Sequence, residues 1–320
     1  MKLLEVCVDS LASARAAKQG GADRLEFCSA LAVGGLTPYA DLLRQIKAEL
    51  DLPVRCLMRP RAGDFLYTRD ELELLCRQIE TLRSAGADGF VIGALTPEGA
   101  LDLPAMRTLL DACGGAPVTL HRCIDVSRDL CATYRAAAAL GIDTVLTSGG
   151  AGSCRKGISQ LAALLRLRDE LDGPEVLIGA GVNAAVIDEL RAALPGARAF
   201  HASCKTLLES GMTFRREGVP MGLPGLDEWH IQQTDAMAST GIDTFSFCCN
   251  DMLTLLANSY VKAEMYQVRK VLQECWKLTP AHNTLTYTTY QVDYNRKCRY
   301  SPLRRTGRYY TVTRAFLETL

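Results

Sequence analysis

Eight short runs of apolar or β-branched residues recur along residues 1–202, and alanine- and leucine-rich segments separate them. This alternation is typical of βα units that build a parallel sheet. The eight runs are Leu4–Val8, Arg24–Cys28, Val54–Met58, Phe90–Ala94, Val118–Cys123, Thr144–Thr147, Val176–Ile178 and Ala199–Ala202. Eight strands with helices between them predict a compact (β/α)8 TIM-type barrel, with a doubly wound open sheet as the alternative.

A repeated phrase favours the barrel. Gly21-Ala22-Asp23, Gly86-Ala87-Asp88 and Gly141-Ile142-Asp143 each stand directly before a predicted strand, which indicates one αβ turn used three times. Helices are predicted between the strands, for example over Ser10–Gln19, Asp70–Ser84 and Ile158–Leu171.

The composition changes near residue 240. Residues 1–240 contain 24 of the 26 glycines, whereas the remainder contains eight of the eleven tyrosines and 11 basic against 6 acidic residues. We therefore predict a barrel over residues 1–240 and an appended basic, tyrosine-rich segment over 241–320, either disordered or partly helical. Within this interpretation, residues 251–277 form an amphipathic helix, and the appended segment is assigned no function.

Charge and cysteine usage exclude several classes of protein. Lys plus Arg and Asp plus Glu are 36 each, so no net charge attracts the chain to nucleic acid, and no partner of that kind is expected. No apolar stretch is long enough for a membrane span or placed as a signal peptide would require. The thirteen cysteines are scattered, which indicates reduced thiols and predicts a cytoplasmic location.

Some of the predicted strands alternate polar with apolar residues, although barrel strands are covered on both faces. In the first strand Glu5, Cys7 and Asp9 alternate with the apolar set, so we expect the polar set to face the lumen. A lumen lined by Glu5, Glu26, Arg59 and Arg122 implies either an internal ion-pair network or a ligand site at the carboxyl ends of the strands.

Cys7 and Cys28 end the first two strand motifs. They occupy equivalent places on consecutive strands, which a parallel barrel sets side by side about 4.8 Å apart. Two thiolates at that spacing suit Cu(I), whereas zinc favours four ligands. The alternatives are that both cysteines fill space in a narrow barrel, or that they form a strained disulfide.

At this point a series of motifs resembles the CutC family, known as copper homeostasis proteins. The motifs run in order from residue 1 to about residue 235. They include Leu4-Glu-Val-Cys-Val-Asp-Ser10, Gly20-Gly-Ala-Asp-Arg-Leu-Glu-Phe-Cys-Ser29, Gly34-Gly-Leu-Thr-Pro38, Met58-Arg-Pro-Arg-Ala-Gly-Asp-Phe65, His121-Arg122, Val145-Leu-Thr-Ser-Gly149 and Phe200-His-Ala-Ser203.

The resemblance implies a (β/α)8 barrel that is cytoplasmic, in animals often also nuclear, and assembles as homodimers or homotetramers. It implies copper as the cargo and Cys7 and Cys28 as the Cu(I) ligands. One departure concerns the loop after the seventh strand, where Ile178-Gly-Ala-Gly-Val-Asn183 replaces the family's Pro-Gly-Gly-Gly-type turn. The resemblance also implies a final helix that closes the barrel, which residues 228–238 are expected to begin before the likeness stops.

Two other functions stay open. The first is a barrel enzyme that acts on a small anionic or phosphorylated metabolite, with His121 as general acid or base, Arg59 or Arg61 as anion clamp, and Asp125 and Glu26 beside them. The second is a scaffold that binds other chains. No reaction is assigned.

Overall fold

Eight parallel strands close into a barrel in the computed structural model. The model describes residues 3–216, 218–219 and 228–236 and the strand backbones at 284–289 and 308–313. The barrel strands are β1 Leu3–Val8, β2 Arg24–Phe27, β3 Val54–Leu57, β4 Gly89–Ile92, β5 Val118–Leu120, β6 Thr144–Thr147, β7 Glu175–Ile178 and β8 Ala199–Ala202. Each strand pairs with the next, and β8 pairs with β1, so the predicted barrel is confirmed and the open sheet is excluded.

Helices follow the first seven strands and cover the outside of the barrel. They are α1 Leu11–Gln19, α2 Ala40–Glu49, α3 Arg69–Ser84, α4 Leu103–Cys113, α5 Leu130–Ala139, α6 Ile158–Leu171 and α7 Ala184–Ala193. The three helices named from the sequence are present. Thr68 caps α3 by a capping box with Glu71, which satisfies backbone N–H groups that the first turn leaves free.

The repeated Gly-x-Asp phrase forms the same turn three times. The carboxylates of Asp23, Asp88 and Asp143 each accept a hydrogen bond from the backbone N–H of a residue in the preceding strand, and these residues are Leu4, Val54 and Val118. The glycine of each phrase has a positive φ, which a residue with a side chain adopts at a cost. Each turn therefore ties the start of one strand to the strand before it.

Alternate residues of β1 face opposite ways, as the sequence predicts. Leu4, Val6 and Val8 belong to the main apolar core. Glu5 is fully buried and accepts a hydrogen bond of 2.5 Å from Arg24 Nε. The polar set of the strand therefore lies in the lumen.

A polar network fills the amino-terminal end of the lumen. Arg55 donates to the hydroxyls of Thr119 and Thr144, at 2.6 Å and 3.1 Å, and forms an ion pair of 2.8 Å with Asp143. Of the two interpretations of the polar lumen, the ion-pair network therefore holds at this end of the barrel.

Beyond β8 the chain forms an antiparallel pair, β9 Lys205–Glu209 with β10 His230–Thr234. The helix predicted over residues 228–238 is thus wrong at 230–234. Pairing with β9 satisfies the backbone hydrogen-bonding groups of residues 230–234, and this outweighs their local helical preference.

The chain divides into two units, residues 1–242 and 243–320. In the second unit, β11 Thr284–Thr289 pairs antiparallel with β12 Arg308–Thr313. The helix predicted over residues 251–277 lies outside the described residues. No helix in the described part of the chain is both long and apolar enough to cross a membrane.

Candidate functional site at the barrel mouth

A cavity of about 460 Å³ opens where the barrel strands end. Its lining includes Cys7 of β1, Glu26 of β2, His201 of β8, Arg59 after β3 and His121 after β5. The carboxyl ends of the strands are where barrel enzymes and binding proteins place their sites. The residues singled out from the sequence therefore converge on this cavity, with the exceptions given below.

Three side chains on one wall of the cavity form a group able to hold a metal ion. One ligand atom from each of Cys7, Glu26 and His201 lies within 4.8 Å of the other two. The group forms because β8, β1 and β2 are neighbours in the closed barrel. Thiolate and imidazole suit soft and borderline metals, whereas a carboxylate suits harder ones.

The register of β1 and β2 corrects the predicted placement of the two cysteines. Glu26, and not Cys28, lies opposite Cys7. Cys28 follows β2 two residues further on, where its backbone N–H donates to Val8 O at 3.0 Å. The expectation of side-by-side cysteines about 4.8 Å apart is therefore wrong. The prediction overlooked the stagger between neighbouring strands that barrel closure requires.

Cys28 is buried beside Leu57 and Val91 on the inner side of the barrel. Burial, together with the charges of Glu26 and Cys7, raises the pKa of the Cys28 thiol well above its usual value. In the absence of a metal, Cys28 is a neutral thiol near pH 7, and a metal that binds it must displace its proton.

Glu5 fixes the orientation of His201. Its Oε1 lies 2.8 Å from His201 Nδ1, and its Oε2 accepts from Arg24. Burial by itself raises the pKa of Glu5, but the hydrogen bonds and charges of His201 and Arg24 outweigh burial and lower the pKa to about 2. An ionised carboxylate only accepts hydrogen bonds, so Nδ1 of His201 carries a proton and Nε2 is directed towards Glu26, 3.7 Å away.

The charges around His201 and Glu26 determine their protonation. Burial alone lowers the pKa of His201, but Glu26, Cys7 and Glu5 together raise it well above 6.5. Burial raises the pKa of Glu26 to about 7, with the charge of His201 acting against this rise. Near neutral pH the metal-free group therefore holds a protonated imidazole beside a carboxyl that is partly protonated.

Arg59 follows β3, the neighbour of β2, and holds the loops after these two strands together. Its Nη1 donates to the carbonyls of Val33 and Gly35, at 3.0 Å and 3.1 Å, and its Nη2 donates to that of Gly63 at 2.8 Å. The guanidinium carbon lies 5.3 Å from the centre of the Phe65 ring. The Arg59 side chain is thus fixed in place by neutral groups.

His121 packs against the same aromatic ring, with its ring centre 4.7 Å from that of Phe65. The backbone N–H of Cys123 donates to His121 Nδ1 at 3.1 Å. Burial and the charge of Arg59 lower the pKa of His121 to about 3. His121 is therefore neutral near pH 7, with its proton on Nε2.

Asp125 lines the cavity, but its carboxylate already accepts hydrogen bonds from the end of β6 and the loop that follows. It accepts from the Thr147 hydroxyl and from the backbone N–H groups of Ser148 and Gly150, and it forms an ion pair of 2.7 Å with Arg122. The Arg122 side chain is 45% exposed and belongs to the cavity lining, so it lies at the mouth of the barrel and is not enclosed in the lumen. Besides this ion pair, Arg122 donates to the Ser148 hydroxyl at 3.0 Å.

Arg61 lies apart from the cavity lining. It pairs with Asp64 at 3.0 Å and with Glu71 at 2.6 Å, and it donates to the carbonyl of Leu66. These contacts tie the loop after β3 to the start of α3.

The loop after β7 makes its turn with an alanine in left-handed backbone conformation. Ala180 has φ 73° and Gly181 has φ 80°, and both line the cavity. The loop thus approaches the mouth even though Ala180 stands where the resemblance leads us to expect glycine. Left-handed backbone is unfavourable for alanine, because its Cβ crowds the following carbonyl.

His201 is the site residue that the sequence analysis did not assign. It was named there only as part of the motif Phe200-His-Ala-Ser203, and its role depends on contact between β8 and β1. In the closed barrel His201 is the register partner of Glu5. Barrel closure between the first and last strands, combined with the inward position of both residues, was the signal available for finding it.

Comparisons with known proteins agree with this architecture. The CutC family model matches residues 2–206. Family protein CutC from Xanthomonas campestris pv. campestris (strain 8004) is 46% identical over 202 residues, which cover 63% of this chain and 83% of that protein. The copper homeostasis protein cutC homolog of Homo sapiens is 39% identical over 235 residues, which cover 73% of this chain and 85% of that protein.

A solved structure matches the barrel as well. The crystal structure of CutC from Streptococcus agalactiae aligns with a TM-score of 0.60 at 27% identity, covering 63% of this chain and 99% of that one. Family model, relatives and fold agree over the same part of the chain, and the chain belongs to the CutC family.

Proposed function

We propose that this chain serves in copper homeostasis by binding one Cu(I) ion at the barrel mouth. Cys7 is the first ligand, and Cys28 and His201 are the others. The observation that carries the proposal is that ligand atoms of Cys7 and His201, together with one of Glu26, lie within 4.8 Å of one another. Cys28 is included because the family resemblance implies it as a ligand. The name of the human relative, a copper homeostasis protein homolog, supports the same function.

The chemistry of these side chains favours Cu(I) over the alternatives. Thiolate sulfur selects Cu(I), zinc or iron–sulfur clusters, and imidazole suits copper and zinc. Glu26 is a poor ligand for a soft ion, and its pKa of about 7 leaves it partly protonated. A structural zinc site uses four ligands, whereas two or three soft ligands suffice for Cu(I).

The test is an anaerobic Cu(I) titration of the full chain against a chromogenic chelator. We expect one tightly bound Cu(I) per chain, which Cys7→Ser abolishes and which Cys28→Ser and His201→Phe each weaken. Cys76→Ser is the matched control, because Cys76 lies on α3 and outside the mouth. Copper binding that survives Cys7→Ser undiminished overturns the proposal.

A parallel titration with zinc separates the two metals. If Cu(I) is the cargo, excess zinc leaves the bound copper in place. Displacement of Cu(I) by equimolar zinc contradicts the proposal and identifies the group as a zinc site.

A further inference from the structure

Two buried N–H donors lie on the wall of the mouth formed after β3 and β5. They are Arg59 Nε and His121 Nε2, and neither has a hydrogen-bond acceptor within the part of the chain that the structure describes. Arg59 is 8% exposed and His121 is 4% exposed. Buried polar groups are nearly always hydrogen-bonded in folded proteins, so two unpaired donors in one cavity indicate a missing acceptor.

The charge of Arg59 also indicates that an anionic acceptor is missing. Its other nitrogens bond only backbone carbonyls, and no carboxylate among residues 3–216 forms an ion pair with it. Arg122 and Asp125 neutralise each other at the rim. A buried guanidinium is rarely left without a counter-charge, so this wall of the cavity attracts an anion.

His121 is held ready to donate. Its Nδ1 is occupied by the backbone N–H of Cys123, which leaves Nε2–H as the free donor. Gly93 makes room for the ring, since a Cβ at that position would lie 2.5 Å from His121 Cε1. Because the pKa of His121 is about 3, the Nε2–H remains a neutral donor across the physiological pH range.

We propose that Arg59 and His121 form a binding site for an oxyanion, the carboxylate or phosphate group of a small metabolite, in the cavity at the barrel mouth. The guanidinium supplies the charge, Arg59 Nε–H and His121 Nε2–H supply two directed hydrogen bonds, and Phe65 contacts both side chains. The volume of about 460 Å³ suits a small molecule.

This site uses none of the proposed copper ligands. Cys7 and His201 belong to β1 and β8, whereas Arg59 and His121 follow β3 and β5. Cys28 lies nearer to it, because Gly35, whose carbonyl accepts from Arg59, packs against Cys28. The anion proposal therefore does not depend on the copper proposal. Calorimetry with phosphate and malonate tests the first, and Cu(I) titration tests the second.

Calorimetric titration of the copper-free full chain with inorganic phosphate and with malonate tests the proposal. Because a hydrogen bond to a charged group is strong, we expect Arg59→Gln and His121→Leu each to weaken binding by about tenfold or more. Arg107→Gln is the matched control, since it removes the same charge from an exposed position on α4. The tighter of the two probes identifies the anion class as phosphate or carboxylate.

Failure of the unaltered chain to bind either probe overturns the proposal, and so does binding that Arg59→Gln and His121→Leu leave unchanged. A measurement that needs no variant covers the case in which these chains do not fold. In the unaltered chain with ¹⁵N-labelled histidine, saturating probe should shift the His121 Nε2–H resonance. An unmoved resonance contradicts the assignment.

Discussion

Glu5 controls the chemistry of the mouth although it is completely buried beneath it. It accepts from His201 Nδ1 and leaves Nε2 as the nitrogen available to a ligand. A carboxylate that orients a metal-binding histidine in this way is a common arrangement around protein metal sites, and it fixes both the ring and its tautomer.

The protonation of His201 predicts how copper affinity depends on pH. The neighbouring acidic groups keep the pKa of His201 well above 6.5 in the metal-free chain, so binding at Nε2 releases a proton. We expect Cu(I) affinity to rise with pH, by up to about tenfold per pH unit for that one proton. Chelator competition at several pH values between acid and mild alkali measures this slope.

Thiol ligands also release protons, so the share of His201 comes from a comparison of slopes. The His201→Phe chain should show a shallower pH dependence than the unaltered chain. Equal slopes would mean that His201 stays protonated and does not bind the metal.

Ala180 provides a second prediction at the level of one residue. Its left-handed φ of 73° costs about 1–2 kcal/mol for a residue with a Cβ, and glycine avoids this cost at a smaller entropic loss. We expect Ala180→Gly to raise the free energy of unfolding by up to about 1 kcal/mol. Urea denaturation measures it.

The control for this substitution is Ala48→Gly in α2, at an exposed helical position. There glycine lowers stability by about 0.5–1 kcal/mol, because no strain is relieved. Loss of stability in both variants would contradict the strain at Ala180.

At the scale of elements, the repeated Gly-x-Asp turn is the feature that sets neighbouring strands in register. Its carboxylate accepts a hydrogen bond from a backbone N–H near the start of the adjacent, preceding strand. One local phrase thus does the same structural task before β2, β4 and β6.

The first of these turns can be tested directly. Asp23→Ala removes the acceptor for the buried Leu4 N–H, bonded at 2.7 Å, and should lower the free energy of unfolding by about 1–3 kcal/mol. Asp23→Asn retains an acceptor oxygen and should cost less. Thermal and urea unfolding of the two chains give the comparison, and equal losses would show that charge rather than the hydrogen bond matters.

The strands and helices could be predicted from the sequence because the local pattern of apolar and polar residues identifies each of them. The inward placement of Glu5 follows from the same periodicity. The opposition of Cys7 and Glu26 does not, since the stagger between strands depends on closure of the whole barrel. For the same reason, the assembly of Cys7, Glu26 and His201 could not be inferred from any one segment.

The strand β10 shows a second limit. Residues 230–234 have no strong local signal for a strand, and they take that form because β9 offers a partner. Pairing between distant segments of this kind depends on the folded chain, so the predicted helix there was wrong.

At the scale of the molecule, the lumen is divided along its axis. Arg55 and its partners fill the amino-terminal end, and the cavity with its titratable groups occupies the carboxyl end. The network at the amino-terminal end links neighbouring strands, whereas the polar groups at the carboxyl end line the cavity. Self-association and a cytoplasmic location stay predictions from the resemblance and the composition.

Acid should destabilise the barrel through His121. Its pKa is about 3 in the folded chain against its usual 6.5, so its contribution to stability is complete above pH 6.5 and is lost as pH falls towards 3. We expect stability to fall by up to about 1.4 kcal/mol per pH unit in that range from this one group. Urea denaturation at a series of pH values measures the loss.

The His121→Gln chain isolates this contribution. Glu26, whose pKa is raised to about 7, favours the folded state at low pH and acts in the opposite direction, but it does so in both chains. The difference between the two stability profiles should therefore report His121 alone. Parallel profiles between pH 6.5 and 4.5 would rule out a buried neutral imidazole.

The contact between Glu5 and His201 joins residues 196 positions apart in the chain. A ribosome must release nearly the whole barrel before these two groups can meet, so a growing or truncated chain exposes the Cys7 thiol without the imidazole beside it. The complete group of Cys7, Glu26 and His201 therefore exists only on a finished barrel, and the proposed copper binding requires completed folding.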